Sequence, residues 1–279
     1  MAVIHEVHAR LVDQLEAAGV ASAEAEAWQL LEGLTGSPRV ELLLDRRQLE
    51  PGEERRLAEW VARRSTREPL QHILGRSWFY GLELQQEPGV LVPRPETERL
   101  VELTLEVLRD VVEPLIIDVG TGTGAVALAL KSERPDAQLV ASDISGPALE
   151  LAGQNARRLQ LDVRLISSDL LEDAQLLELA GRASAIVSNP PYLPDGDRTG
   201  ASPEVRWDPP TALYSGADGL DHFGRLLTQA NELLRPGAFL LVELDPRNVA
   251  QARERASDWA QANVLNDLTG RPRFLRLRR

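Results

Sequence analysis

The chain has 279 residues, 43% of them hydrophobic and 27% charged, with a formal net charge of −12. That length suits one large α/β domain plus a smaller unit, and the acidity argues against stable nucleic-acid binding, which needs a basic surface. The absence of cysteine excludes disulfides, thiolate metal sites and thiol nucleophiles, and with no apolar run of bilayer length and no signal-peptide pattern in residues 1–10, a cytoplasmic protein without a membrane partner is expected.

Ile4, Val7, Leu11 and Leu15 recur at helical spacing, as do Ala23, Ala27, Leu30 and Leu34, then Leu42 and Leu43, then Leu57, Trp60 and Val61. Ser22 is placed as a helix cap and Pro51 as a first-turn residue, while Gly19 and Gly36 suit helix stops. The pattern predicts a small helical bundle over residues 1–74. Its basic pairs Arg46-Arg47, Arg55-Arg56 and Arg63-Arg64 are interspersed with acids and read most simply as solvated faces, with docking of a partner protein as the alternative. His5 and His8 share a helical face without a third ligand and read as surface residues, so no metal is expected.

From Ser77 the period changes. Trp78 to Leu84, around Gly81, predicts a short β element, and Glu87-Pro88-Gly89 a turn. Val92 to Pro95 is held extended by its prolines and enters a helix with an acidic first turn, running to about Arg109 with Val101, Leu105 and Leu108 on one side. Residues 75–95 are therefore expected as a hairpin and linker, and 96–279 as the larger domain. There, short apolar runs at Leu115–Val119, Leu139–Ser142, Val163–Ile166, Ala185–Val187 and Phe239–Val242 alternate with helical segments at about 124–132, 146–159, 174–180, 219–234 and 246–260. The alternation predicts a doubly wound α/β sheet with its first strands parallel. Asn263–Leu268, Gly270 and Phe274–Leu277 predict a terminal antiparallel hairpin.

Asn189-Pro190-Pro191-Tyr192 begins where its strand must stop, because prolines cannot extend a ladder. A planar NH2 group needs two acceptors, which the Asn189 Oδ1 and the Pro190 carbonyl can supply, with Tyr192 as a flat wall. An isolated motif of this kind is also an ordinary strand-to-loop turn. Asp118-Val119-Gly120-Thr121-Gly122-Thr123-Gly124 follows the first strand and opens a helix, where glycines permit tight turning and close approach of a ligand. Asp143, ending the second strand, suits ribose hydroxyls or, with Ser145, a helix cap. Asp169, between Ser168 and Leu170 after the third strand, suits an adenine amino group or a simple turn.

The order and spacing of these four strand ends resemble the class I, Rossmann-like fold of S-adenosylmethionine-dependent methyltransferases, and the Asn-Pro-Pro-Tyr motif resembles that of enzymes methylating planar nitrogens. Pro69 to Gly75, Phe79 to Gly81, Pro93 to Glu98, Asp118 to Gly124, Val187 to Tyr192, Asp208-Pro209, Ala212-Leu213 and Asp218 to Leu220 are similar, in order, to the release-factor glutamine methyltransferases, the PrmC/HemK family. The likeness covers nearly all of the chain, with departures at Asp208, Ser215 and Asp245. It implies S-adenosylmethionine as cofactor, peptide-chain release factors as protein partner, and methylation of the side-chain amide nitrogen of the glutamine in their Gly-Gly-Gln loop. It also implies that Gly120, Thr121, Gly122, Thr123, Gly124, Asp143, Asp169, Leu170 and Asn189 bind the cofactor. The glutamine would be held by Asn189, Pro190, Pro191 and Tyr192, with Asn189, Pro190 and Tyr192 as the catalytic set. The rival reading is an N-methyltransferase acting on exocyclic amino groups of DNA or RNA bases, since the same motif suits a flipped adenine. A non-catalytic adenosine-ligand binder and a nicotinamide oxidoreductase complete the alternatives.

Overall fold

A computed structural model describes residues 3–44 and 47–279, and by internal contacts the chain divides into two units. The first comprises Met1–Arg76 with Ser202–Trp207, the second Ser77–Ala201 with Asp208–Arg279.

The first unit is built of α1 (Ile4–Ala17), α2 (Ala23–Thr35), α3 (Arg39–Leu44), α4 (Pro51–Ser65) and α5 (Leu70–Leu74). Ile4, Val7, Leu11 and Leu15 of α1 pack with Ala27, Leu30 and Leu31 of α2, the predicted apolar stripes. Gly36 closes α2 at φ +71°, a left-handed conformation that favours glycine. Ser22 precedes α2 but does not cap it: its hydroxyl donates instead to Glu26 at 3.0 Å. At α4, Glu50 and Glu53 form a capping box around Pro51 in the first turn.

Of the basic pairs, Arg55 and Arg56 are exposed as expected, and Arg46 lies outside the described residues. Arg64 departs from expectation: it is buried, donating to Glu26 at 2.5 Å, to Glu204 at 3.1 Å and to the Glu68 carbonyl at 3.2 Å. A guanidinium tolerates burial only when so many acceptors surround it.

The second unit opens with β1 (Arg76–Phe79) and β2 (Leu82–Gln85), paired across Tyr80 and Gly81, both at positive φ. Residues 75–95, expected as a hairpin and linker, contain this hairpin, and its Gln85 backbone exchanges hydrogen bonds with the Asn155 side chain at 2.6 and 3.2 Å. A short turn, Pro95–Thr97, leads into α6 (Glu98–Val107). There follow β3 (Leu115–Val119), α7 (Ala125–Glu133), β4 (Gln138–Asp143), α8 (Gly146–Leu159), β5 (Arg164–Ser167), α9 (Ala174–Ala180) and β6 (Ala185–Ser188). The chain ends with α10 (Asp221–Leu233), β7 (Phe239–Glu243), α11 (Val249–Arg255), β8 (Gln261–Asn266) and β9 (Pro272–Arg278).

The seven strands lie in the order β5-β4-β3-β6-β7-β9-β8, with β5 to β7 parallel and β9 antiparallel to both neighbours. The terminal hairpin thus joins the sheet through its second strand. Its turn is set by Asp267, whose Oδ1 accepts from the backbone nitrogens of Thr269 and Arg271, with Gly270 at φ +86°. Helices cover both faces, so the central strands β3 and β6 are buried at every residue. Ile117, Val119, Ile186 and Leu240 pack on one side, and Ile116, Val187 and Leu241 on the other against α7. The chain winds outward from β3 to β5, then returns to place β6 on β3's other side. That reversal puts a crevice beyond the carboxyl ends of β3 and β6. Among the described residues no helix is long and apolar enough to cross a membrane.

Candidate active site

A cavity of about 280 Å³ opens at that crevice, and its walls carry Gly120 to Thr123, Asp143, Ser168 to Leu170, Asn189 and Pro191. Loops widely separated in the chain meet there because Val119 of β3 pairs with Ser188 of β6 and with Ser142 of β4. The Ser188 hydroxyl locks the first of these junctions by donating to the Val119 carbonyl at 2.7 Å.

The glycine loop turns over the end of β3, its Gly120 and Thr121 nitrogens both donating to the Ser142 carbonyl at 2.8 and 2.9 Å. Gly120 has φ +75°, and a Cβ there would enter open space at the cavity. Gly124 serves packing instead: its Cβ would lie 3.2 Å from Ala152 on α8, and it does not line the cavity. Beneath the loop, the buried Asp118 accepts from the Thr121 hydroxyl at 2.6 Å and the Ala127 nitrogen at 3.2 Å. Burial pushes its carboxyl up to about 7 despite those bonds. Sequence reading assigned Asp118 no role of its own, since an acid inside an apolar strand gives no hint of its partner.

Of the two residues offered as a helix cap at this strand end, Ser145 takes that role and Asp143 does not. Ser145 caps α8 by accepting from Ala148, while Asp143 accepts from the Gly122 nitrogen and the Ser145 nitrogen, each at 2.9 Å. It therefore pins the glycine loop, and each oxygen keeps a lone pair for another donor. Asp169 ion-pairs with Arg225 of α10 at 2.8 Å, and Arg225 also holds Glu172 at 2.7 Å. The next residue, Leu170, is buried at φ +52°. For a side chain branched at Cγ this left-handed conformation is strained, a condition met at ligand-binding positions.

Asn189 donates its Nδ2–H to the Thr97 hydroxyl oxygen at 3.1 Å, which leaves Oδ1 for another partner. Pro191 lines the cavity, and Pro190 and Tyr192 are not among its lining residues. Tyr192 is strapped by its nitrogen to the Leu213 carbonyl and by its carbonyl to the Asn248 side chain, both at 3.1 Å. Burial holds its phenol well above the usual range. The lining residues that the sequence reading did not name as site residues include Arg94, ion-paired to the buried Asp208; Ile144, 67% exposed though apolar; His222, whose Nδ1 lies 2.8 Å from Ser215 Oγ; and Arg225. An apolar residue exposed directly after the acidic strand end is a signal that was available for Ile144. Arg94 and Arg225 depend on partners far along the chain, Asp208 and Asp169.

Residues 82–205 match the family model described as the methyltransferase small domain, and residues 6–75 the one described as the PrmC N-terminal domain. Among solved structures, the hMettl16 catalytic domain in complex with a 3'UTR hairpin has a TM-score of 0.57 at 15% identity, covering 82% of this chain and 81% of that one. A T. thermophilus rRNA methyltransferase in complex with AdoMet and guanosine has a TM-score of 0.52 at 20% identity, covering 73% and 49%. The fold is thus that of the doubly wound methyltransferases. A release factor glutamine methyltransferase of Deinococcus radiodurans is 48% identical over 95% of this chain and 95% of its own length. One of Streptomyces coelicolor is 41% identical over 97% and 96%, and a Homo sapiens counterpart 37% identical over 80% and 71%. The chain belongs to the release factor glutamine methyltransferase family.

Proposed function

We propose that this protein transfers a methyl group from S-adenosylmethionine to the side-chain amide nitrogen of the glutamine in the Gly-Gly-Gln loop of peptide-chain release factors. The observation that carries the reading is near-full-length identity to relatives of that name, combined with a crevice whose acceptor wall is Asn189.

The residues fit the cofactor. Gly120 leaves room where a Cβ would intrude, and the Asp143 carboxylate retains acceptor capacity for ribose hydroxyls. Asp169 would take the adenine amino group, with Leu170 and Ile144 as apolar surfaces for the ring. When bound, S-adenosylmethionine supplies an electrophilic methyl on a cationic sulfur, and the acidic side chains at the strand ends suit that charge.

An amide nitrogen is a poor nucleophile because its lone pair is delocalised into the carbonyl. The Asn189 Oδ1 and the Pro190 carbonyl would each accept one N–H, turning the lone pair toward the methyl. Once the nitrogen–methyl bond forms, one of those protons leaves to solvent. No general base is required. Positioning of this kind is worth on the order of 7 kcal/mol in favourable intramolecular cases. Tyr192, held by its backbone and not among the lining residues, would support the proline turn.

The test is mass analysis of a release factor after incubation with this protein and S-adenosylmethionine. One methyl group on the Gly-Gly-Gln glutamine, lost when that glutamine is replaced by glutamate, is the expected result. Cofactor binding without any transfer to the factor would refute the substrate.

A further inference from the structure

One residue beyond the last β6–β7 pair, Ser188 with Val242, Glu243 stands abreast of Asn189. Its carboxylate is fully buried, and neither oxygen closes a hydrogen bond of normal geometry. Arg273 of β9 approaches Oε1 only to 3.7 Å and is itself held by Asp267. Burial pushes the carboxyl up to about 7; the hydroxyls of Thr97 and Tyr192 and the charge of Arg273 pull against that, and Glu96 adds like charge. A carboxylate kept in this state costs free energy. Glu243 does not line the cavity, so it touches no reactant. Its neighbours are the groups that shape the acceptor wall, foremost Thr97, which receives the Asn189 Nδ2–H at 3.1 Å.

The polarity of the Thr97 hydroxyl links the two. It has one proton and two lone pairs. With the proton directed at the Glu243 carboxylate, only lone pairs face Asn189, which must then present its NH2 to Thr97 and its Oδ1 elsewhere. With Glu243 protonated or missing, the Thr97 proton is free to turn to Asn189, and the amide can rotate by half a turn. The Asn189 NH2 would then face the NH2 of the amide to be methylated, donor against donor. The two ends of an asparagine amide have nearly the same size, so hydrogen bonds and not packing choose between them. We propose that Glu243 is a positioning residue, which through the Thr97 hydroxyl keeps the Asn189 Oδ1 turned toward the nitrogen to be methylated. The inference rests on the acceptor role given above to Asn189.

Full-length Glu243→Leu, Thr97→Val, Thr97→Ser and the Glu243→Leu/Thr97→Val double variant test it. Glu243→Leu and Thr97→Val should each lower kcat at least about tenfold, with KM for the release factor and Kd for S-adenosylmethionine within about twofold. Thr97→Ser should keep the wild-type rate, and the double variant should be no slower than the worse single one. Wild-type kcat should fall as pH drops through about 7, a limb missing from Glu243→Leu. Losses that multiply in the double variant, or an unchanged rate and pH profile in Glu243→Leu, overturn the proposal. A second readout needs no turnover: the Asn189 side-chain NH2 resonances, assigned through Asn189→Ala, should titrate near pH 7 in the wild type and not in Glu243→Leu. Resonances that do not titrate also overturn it. If the wild type methylates nothing, the functional reading has failed, and the resonances still decide the positioning role.

Discussion

Asn189 and Gly120 meet at the crevice from neighbouring strands and illustrate two kinds of requirement, one chemical and one steric. In the proposed reaction Asn189 would offer an acceptor whose value is greatest as charge develops on the attacking nitrogen. Asn189→Ala should therefore cut kcat about 100-fold while leaving cofactor Kd within a few-fold, measured by single-turnover transfer and by cofactor titration. Gly120 contributes emptiness and a φ of +75°. Gly120→Ala places a methyl in the cavity and adds about 1 kcal/mol of backbone strain, so S-adenosylmethionine affinity should fall at least about tenfold by calorimetric titration, with the sheet intact by circular dichroism. Both residues were legible in the sequence because their chemistry is local: an asparagine before two prolines, a glycine after a strand. Thr97 was not, since its partner Asn189 lies 92 positions away and nothing about a threonine before a helix names it.

At the scale of elements, α4 shows how two adjacent arginines receive opposite fates. Arg63 reaches Glu68 from a half-exposed position, whereas Arg64 turns inward to Glu26 of α2 and to Glu204. Arg64→Ala would leave Glu26 without its buried counter-charge, while Glu204 keeps Arg67, and should destabilise the helical unit by about 3 kcal/mol. Arg55→Ala on the exposed face should stay within about 0.5 kcal/mol. Urea denaturation followed by tryptophan fluorescence, which reports on Trp28 and Trp60 in the same helices, separates the two. The helices themselves were readable from their apolar spacing. Which arginine faces inward was not, because Glu204 arrives from a segment that follows the sixth strand and joins the first unit.

For the whole molecule, two buried carboxyls on β3 and β7, the strands either side of β6, shape the response to pH. Asp118 and Glu243 both titrate at about 7 in the fold, raised chiefly by burial. A folded state that binds a proton more tightly than the unfolded chain gains stability at low pH. For Asp118 that gain is complete below about 4 and is lost as pH rises to about 7. Asp118→Asn cannot ionise, so its melting temperature relative to wild type should climb between pH 5 and pH 8. A constant difference across that range would show that the Asp118 carboxyl titrates normally in the fold.

The sequence by itself determined the elements, their order and the residues at each strand end, because helical and strand periodicity, turn residues and caps act over a few positions. It also carried the family likeness, since Pro93 to Glu98 and Asn189 to Tyr192 are short contiguous stretches. Only the tertiary structure decided that β6 lies against β3, that β9 enters between β7 and β8, and that Asp143 grips Gly122 while Asp169 pairs with Arg225. Those choices come from closing long loops and burying both faces of one sheet, energies that belong to the assembled chain and leave no mark on any single stretch of it.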